Sequence, residues 1–184
     1  DIKPKVFTRE AAHKVLESCI DRILSIPEGF DTLTDDFALQ FDEENESYHF
    51  FEIHIPKSVK TIGIVSITQD PGDGLCVGKD FDYFDEITVD ADNNAYRSLD
   101  GVLFTKDMKQ LICYPSGKRA ETYMVPEGVE VIRTFAFQCQ QFLKNVYLPS
   151  SVKTIEWNAF GYCKKLNNVF LSEGLEIIEE HAFE

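Results

Sequence analysis

The residue types that could do chemistry are scattered along the chain. Histidine occurs at His13, His49, His54 and His181, and cysteine at Cys19, Cys76, Cys113, Cys139 and Cys163. Nucleophilic catalysis needs a serine or cysteine held within hydrogen-bond reach of a base. No strand-elbow motif such as G-x-S-x-G is present to expose a serine in that way. The cysteines are odd in number and no two stand in C-x-x-C spacing, so neither a zinc site nor a dense disulfide framework is expected. Acidic residues cluster at Asp80, Asp82, Asp85 and Glu86, and Asp90-Ala91-Asp92-Asn93-Asn94 has the look of a calcium loop. A calcium loop of the EF-hand kind needs glycine where Ala95 stands and a glutamate at its twelfth position, which is Gly101. Turns and solvated charge are the expected reading. The chain is therefore expected to be no enzyme and to carry no metal or cofactor.

The elements that position these residues must come from a soluble chain of moderate size. It has 184 residues, of which 43% are hydrophobic and 27% charged, enough to bury one sizeable core. Its 18 Lys and Arg against 32 Asp and Glu leave a net charge of -14, which opposes binding to nucleic acid or an anionic membrane. No apolar run approaches the ~20 residues of a membrane span. No signal peptide is visible, and a start at Asp1 without Met reads as a mature or trimmed product.

The strongest signal is an internal repeat. VPEGVEVIRTFAF from Val125, LPSSVKTIEWNAF from Leu148 and LSEGLEIIEEHAF from Leu171 recur at a spacing of 23 residues. Val129, Val152 and Leu175 match, as do Ile132, Ile155 and Ile178, and so do the pairs Ala136-Phe137, Ala159-Phe160 and Ala182-Phe183. Leu143 matches Leu166 and Val146 matches Val169. Walking the register backward gives further unit starts at 89, 55 and 26, with Ser66-Ile67 and an inverted Phe37-Ala38 at the small-apolar pair. The longer early spacings leave room for insertions at residues 40–49, 68–83 and 93–119. The first is acidic and the second holds the turn sequence Asp70-Pro71-Gly72-Asp73-Gly74. The third carries two β-rich runs, Gly101–Phe104 and Leu111–Tyr114, around a polar turn, and reads as a hairpin.

A unit of 23 residues cannot bury its own apolar face, so neighbours must stack. Leu143, Val146 and Leu148 form the L-x-x-L-x-L pattern of a leucine-rich repeat. The fold expected is a right-handed leucine-rich-repeat solenoid over residues 26–184. Its short parallel strands should line the concave face near 52–54, 86–89, 122–124, 145–148 and 168–171. Residues 1–25 are expected to form a helical cap. Thr8 would serve as N-cap, and Ala11, Ala12, Val15, Leu16, Cys19, Ile20, Ile23 and Leu24 would make one apolar stripe.

These motifs resemble the BspA-type leucine-rich repeats. The resemblance rests on the I/L/V-P-x-x-V-x-x-I-x-x-x-A-F core and on Cys163-Lys164-Lys165-Leu166 as the following Cys-x-x-Leu, and it covers residues 26–183. The run from Ile87 through Asp100-Gly101 to Tyr114-Pro115 is similar to a recurring hairpin insert of that family. Cys139 departs from the pattern by standing one place early. The resemblance implies a surface-exposed or secreted, bacterial, non-enzymatic module with an interaction or adhesion role, anchored if at all by a segment outside these residues.

Alternation along each strand assigns the outward rows. One row is His54, Thr88, Met124, Tyr147 and Phe170; the row two residues earlier is Glu52, Glu86, Thr122, Asn145 and Asn168. An exposed Met–Tyr–Phe stripe marks a surface that a protein or glycan ligand would cover, and the five residues of the first row are the candidate partner-binding set. The alternatives are a glycan-binding module and a structural spacer within a larger surface protein. All five cysteines are expected as free thiols, since Cys139 and Cys163 hold different offsets. The last unit stops after 14 residues, so the chain is expected to continue, or to pack on another molecule through that end.

Overall fold

The computed structural model describes residues 3–16, 23–33, 52–63 and 85–184. Its elements in chain order begin with β1 (Val6–Phe7), α1 (Arg9–Leu16), β2 (Ile23–Ser25), β3 (Thr32–Leu33), β4 (Glu52–Ile55), β5 (Thr61–Ile62) and β6 (Glu86–Val89). A meander follows: β7 (Tyr96–Leu99), β8 (Val102–Thr105) and β9 (Gln110–Cys113). The remainder is β10 (Thr122–Met124), β11 (Val131–Ile132), β12 (Asn145–Tyr147), β13 (Thr154–Ile155), β14 (Asn168–Phe170) and β15 (Ile177–Ile178).

Each repeat contributes one strand to each of two stacks. On one face β2, β4 and β6 form a parallel sheet, and β10, β12 and β14 form another. On the second face β1, β3 and β5 pair in parallel, and β9, β11, β13 and β15 do the same. Val146 sits opposite Val169 and Tyr123 opposite Val146, which is the register the 23-residue spacing requires. The strands expected from the sequence are present at all five places.

Stacking buries the repeated apolar positions. Val129, Val152, Ile132, Ile155, Leu143 and Val146 are all fully buried. The phenylalanines of the Ala-Phe pairs form a spine of near-parallel rings, with Phe137 to Phe160 at 4.8 Å and Phe160 to Phe183 at 5.2 Å. Tyr114 extends it backward, stacked on Phe137 at 5.2 Å. The amide of Tyr114 donates to the Ala136 carbonyl just as that of Phe137 donates to Ala159, so Tyr114 holds the same place in the stack. Ahead of each Ala-Phe pair the chain turns through a left-handed residue: Phe135, Asn158 and His181, with φ of 61°, 51° and 58°.

The insert at 93–119 is a three-stranded meander, so the two-run hairpin expectation missed β7. Leu103 and Cys113 enter the N-terminal core, while Val102, Phe104, Leu111 and Tyr114 enter the C-terminal one. Strand β8 is thus buried on both faces, which accounts for its unbroken apolar run. The β7–β8 turn has positive φ at Asp100 and Gly101, a tight hairpin geometry. That turn docks against β6, where the Ile87 amide donates to the Gly101 carbonyl at 2.9 Å. A Cβ on Gly101 would lie 2.9 Å from Cγ of Glu86, so glycine is required there.

The N-terminal stripe needs correction. Helix α1 covers Arg9–Leu16, and Thr8 Oγ1 accepts from the Ala11 amide at 3.4 Å as an N-cap. Ile23 and Leu24 are not on a helix; they belong to β2, paired with Glu52 and Ile53 of β4. So short an apolar run fits either periodicity, and pairing with β4 decides for the strand. Cys19 and Ile20 lie outside the described residues, as do Phe37-Ala38, Ser66-Ile67 and the insertions 40–49 and 68–83.

Candidate functional site

The candidate row divides into two parts. In the C-terminal part Met124, Tyr147 and Phe170 stand directly opposite one another on β10, β12 and β14. They are 71%, 40% and 45% exposed, whereas Val146, next to Tyr147 in sequence, is fully buried. The rings of Tyr147 and Phe170 stack at 4.3 Å, tilted by only 5°. Beside them, in the row two residues earlier, Asn168 Nδ2 donates to Asn145 Oδ1 at 2.9 Å. Each amide spends one group on its neighbour.

In the N-terminal part His54 and Thr88 are paired on β4 and β6. The His54 ring nitrogen Nδ1 lies 2.9 Å from Thr88 Oγ1. The Thr88 hydroxyl donates to the Glu52 carboxylate, so its oxygen is left to accept from His54. This part of the row is polar and internally bonded. No strand pairing joins β6 to β10; the Asp100–Gly101 turn lies against β6 instead. The structure therefore brings together Met124, Tyr147 and Phe170, and separately His54 and Thr88.

The acidic loop at residues 90–94 is a structural turn. Asp90 Oδ1 accepts from the Asp92 amide at 2.8 Å. Asn93 is fully buried; its Nδ2 donates to the carbonyls of Pro56 and Val59, and its Oδ1 accepts from the amides of Ala95 and Tyr96. These bonds tie the start of the meander to the preceding turn. Asp80 and Asp82 lie outside the described residues. Among the described residues, no group of three or more His, Cys, Asp or Glu side chains is arranged to hold a metal.

The chain also compares with known proteins. Residues 114–184 match the BspA-type leucine-rich repeat region, in six copies. These residues are BspA-type leucine-rich repeats. The pneumococcal vaccine antigen PcpA shares 25% identity over 83% of the chain, with a TM-score of 0.63. A leucine-rich cell surface protein of Faecalibacterium prausnitzii A2-165 has the same fold, at 23% identity over 88% of the chain and a TM-score of 0.55. The chain spans 40% and 50% of the lengths of those two structures. No curated protein matches it.

The BspA-type pattern accounts for Cys163. Cys163 Sγ donates to the Phe137 carbonyl at 2.9 Å, and burial pushes its thiol up to about 12. One repeat earlier that position is Gln140, whose Nε2 donates to the equivalent carbonyl of Tyr114 at 2.8 Å. Gln140 thus takes over the bond that the repeat cysteine makes. Cys139, one place early, is disulfide-bonded. The expectation of five free thiols is corrected on this point, because offset within the repeat says nothing about what lies across the chain from Cys139. Cys113 and Cys163 are free, and burial raises Cys113 to about 12 as well.

Proposed function

We propose that the chain is a non-enzymatic protein-binding module of a bacterial surface or secreted protein. Its recognition surface is centred on Met124, Tyr147 and Phe170, with His54 and Thr88 as a polar flank on the same side of the repeats. The observation that carries this reading is the exposure of three large apolar side chains in one cross-strand row. Aromatic side chains and methionine are the residues that dominate protein interfaces. The surface setting follows the fold's likeness to a pneumococcal antigen and a bacterial cell surface protein. Among the described residues, no helix is long and apolar enough to cross a membrane.

A glycan reading is less well supported. Tyr147 and Phe170 stack face to face, so each covers a ring face that a sugar would need. A spacer reading draws on the same stack, which stabilises the sheet by ~0.2–1 kcal/mol per cross-strand pair. It leaves Met124 unexplained, the most exposed of the three. We also propose that the repeats wind right-handed, the rule for crossovers between parallel strands. Helix α1, whose Ala11 and Val15 pack on the N-terminal core, would then cover the first concave strand.

The test is a panel of purified extracellular proteins and glycans presented to the wild-type chain and to Met124→Glu. Met124 has little burial to lose, so the variant keeps its fold. The expected result is a protein ligand whose affinity falls by about tenfold or more in the variant. Binding of glycans alone, or protein binding that Met124→Glu leaves unchanged, would refute the reading.

A further inference from the structure

We propose that the rim of the first face, at the row Arg119, Phe142 and Lys165, binds a short acidic stretch of a polypeptide ligand through its carboxylates. That the ligand is a polypeptide rests on the protein-binding reading; the charge it carries rests on the row itself.

The repeat builds this row. Arg119, Phe142 and Lys165 recur at a spacing of 23 residues, each three places ahead of its strand, β10, β12 or β14. Stacking therefore sets them side by side at the edge of the sheet. The Arg119 guanidinium lies 5.9 Å from the centre of the Phe142 ring, and the Lys165 ammonium lies 5.3 Å from it. Both cations are exposed, and the half-buried ring between them attracts each through its quadrupole. Lys109 with Glu130, Arg133 with Glu156 and Lys144 with Glu121 show the other arrangement, a cation matched to a carboxylate of the neighbouring unit. Here phenylalanine takes the central place. Glu121, on the same rim, is held by Lys144 at 2.7 Å. Among the described residues, Arg119 and Lys165 are thus left without a carboxylate partner.

The charges favour carboxylates on a short segment. A net charge of -14 repels a long polyanion, because most of its length would lie over an acidic molecule. Two rungs of a stack are about 10 Å apart, the reach of about three residues in an extended chain. A segment with two Asp or Glu at that separation places one carboxylate on each cation, and Arg119 offers its carboxylate two parallel N–H donors. The row is also placed to act with the exposed apolar residues. Phe142 and Tyr147 belong to one unit, with Asn145 between them. A ligand that covers Tyr147 and crosses the strands therefore reaches the row, an apolar centre with a charged rim being the ordinary plan of an interface.

Titrating the full chain with a short peptide of Glu, Asp, Gly and Ser, and following its amide resonances, tests this. The peptide has no apolar side chain, so it probes the row and not Met124, Tyr147 and Phe170. The resonances of Arg119, Phe142 and Lys165 should shift along one saturating curve. The matching peptide of Gln, Asn, Gly and Ser should leave them in place. Arg119→Gln with Lys165→Gln should weaken the affinity by about tenfold, two exposed charge pairs being lost, and raised salt should weaken wild-type binding in the same direction. Both side chains are exposed, so the double variant keeps its fold and its melting temperature. Met124→Ala should leave the peptide affinity unchanged, so the apolar row and the charged row fail separately. Equal shifts from the two peptides, or acidic-peptide binding that the double variant leaves intact, overturn the proposal. So does a sulfated oligosaccharide that binds the row where the acidic peptide does not.

Discussion

Asn93 shows how much one side chain can hold in this chain. It is buried and uses both groups of its amide, twice each, to join the Pro56–Val59 turn to the start of the meander. Replacing it with leucine of similar size strands two carbonyls and two amides, each costing about 1–3 kcal/mol if left unpaired. The expected outcome for Asn93→Leu is a loss of at least about 3 kcal/mol in urea unfolding. A loss below about 1 kcal/mol would show that the turn finds other partners. The cysteines supply a second residue-level expectation. Since Cys139 is in a disulfide, thiol titration of the denatured, unreduced chain should find no more than three of the five cysteines. The two buried thiols also predict an alkaline limit. Cys113 and Cys163 are raised from 9.0 to about 12, so the unfolded state loses these protons first as pH rises. Their stabilising effect is complete below about pH 9 and is lost between there and about 12. The melting temperature should fall across that window, and Cys163→Ser should make the fall shallower.

At the scale of the element, the ring spine makes position in the stack count. Phe160 lies between two parallel rings and is buried, whereas Phe183 has a ring on one side and solvent on the other. Phe160→Ala should cost about 3–5 kcal/mol, as large-to-small core changes do. The chemically identical Phe183→Ala should cost well under half as much, and equal costs would mean that the last unit is already covered. The strands were legible in the sequence because strand position follows from the 23-residue recurrence of Val146 and its matches, which a single unit could not have shown. The exposed row was legible for the same reason, by alternation from Val146 to Tyr147. Other features were not. Ile23 and Leu24 carry no periodicity of their own, and only β4 makes them a strand. Tyr114 was hidden as a member of the spine because the meander shifts its spacing from the start of its unit. The two-part division of the candidate row was also invisible, since it depends on the Asp100–Gly101 turn docking beside β6.

Over the whole molecule, the repeats act as a ladder whose outer rungs carry charge and whose exposed apolar row lies on the C-terminal part of the first face. The net charge of -14 is spread so that Lys109 with Glu130, Lys144 with Glu121 and Arg133 with Glu156 pair between neighbouring units. Such surface pairs contribute little stability each. Recognition and sheet stacking are the two roles open to Tyr147 and Phe170, and they make different demands on the same substitution. The decisive measurement is the double change Tyr147→Ser with Phe170→Ser, followed both by affinity for a protein ligand and by thermal melting. A recognition surface requires that affinity fall by well over tenfold while melting shifts by only a few degrees, in keeping with the loss of one stacked pair. Intact affinity alongside a lowered melting temperature would contradict the account and leave these rings as props of the sheet.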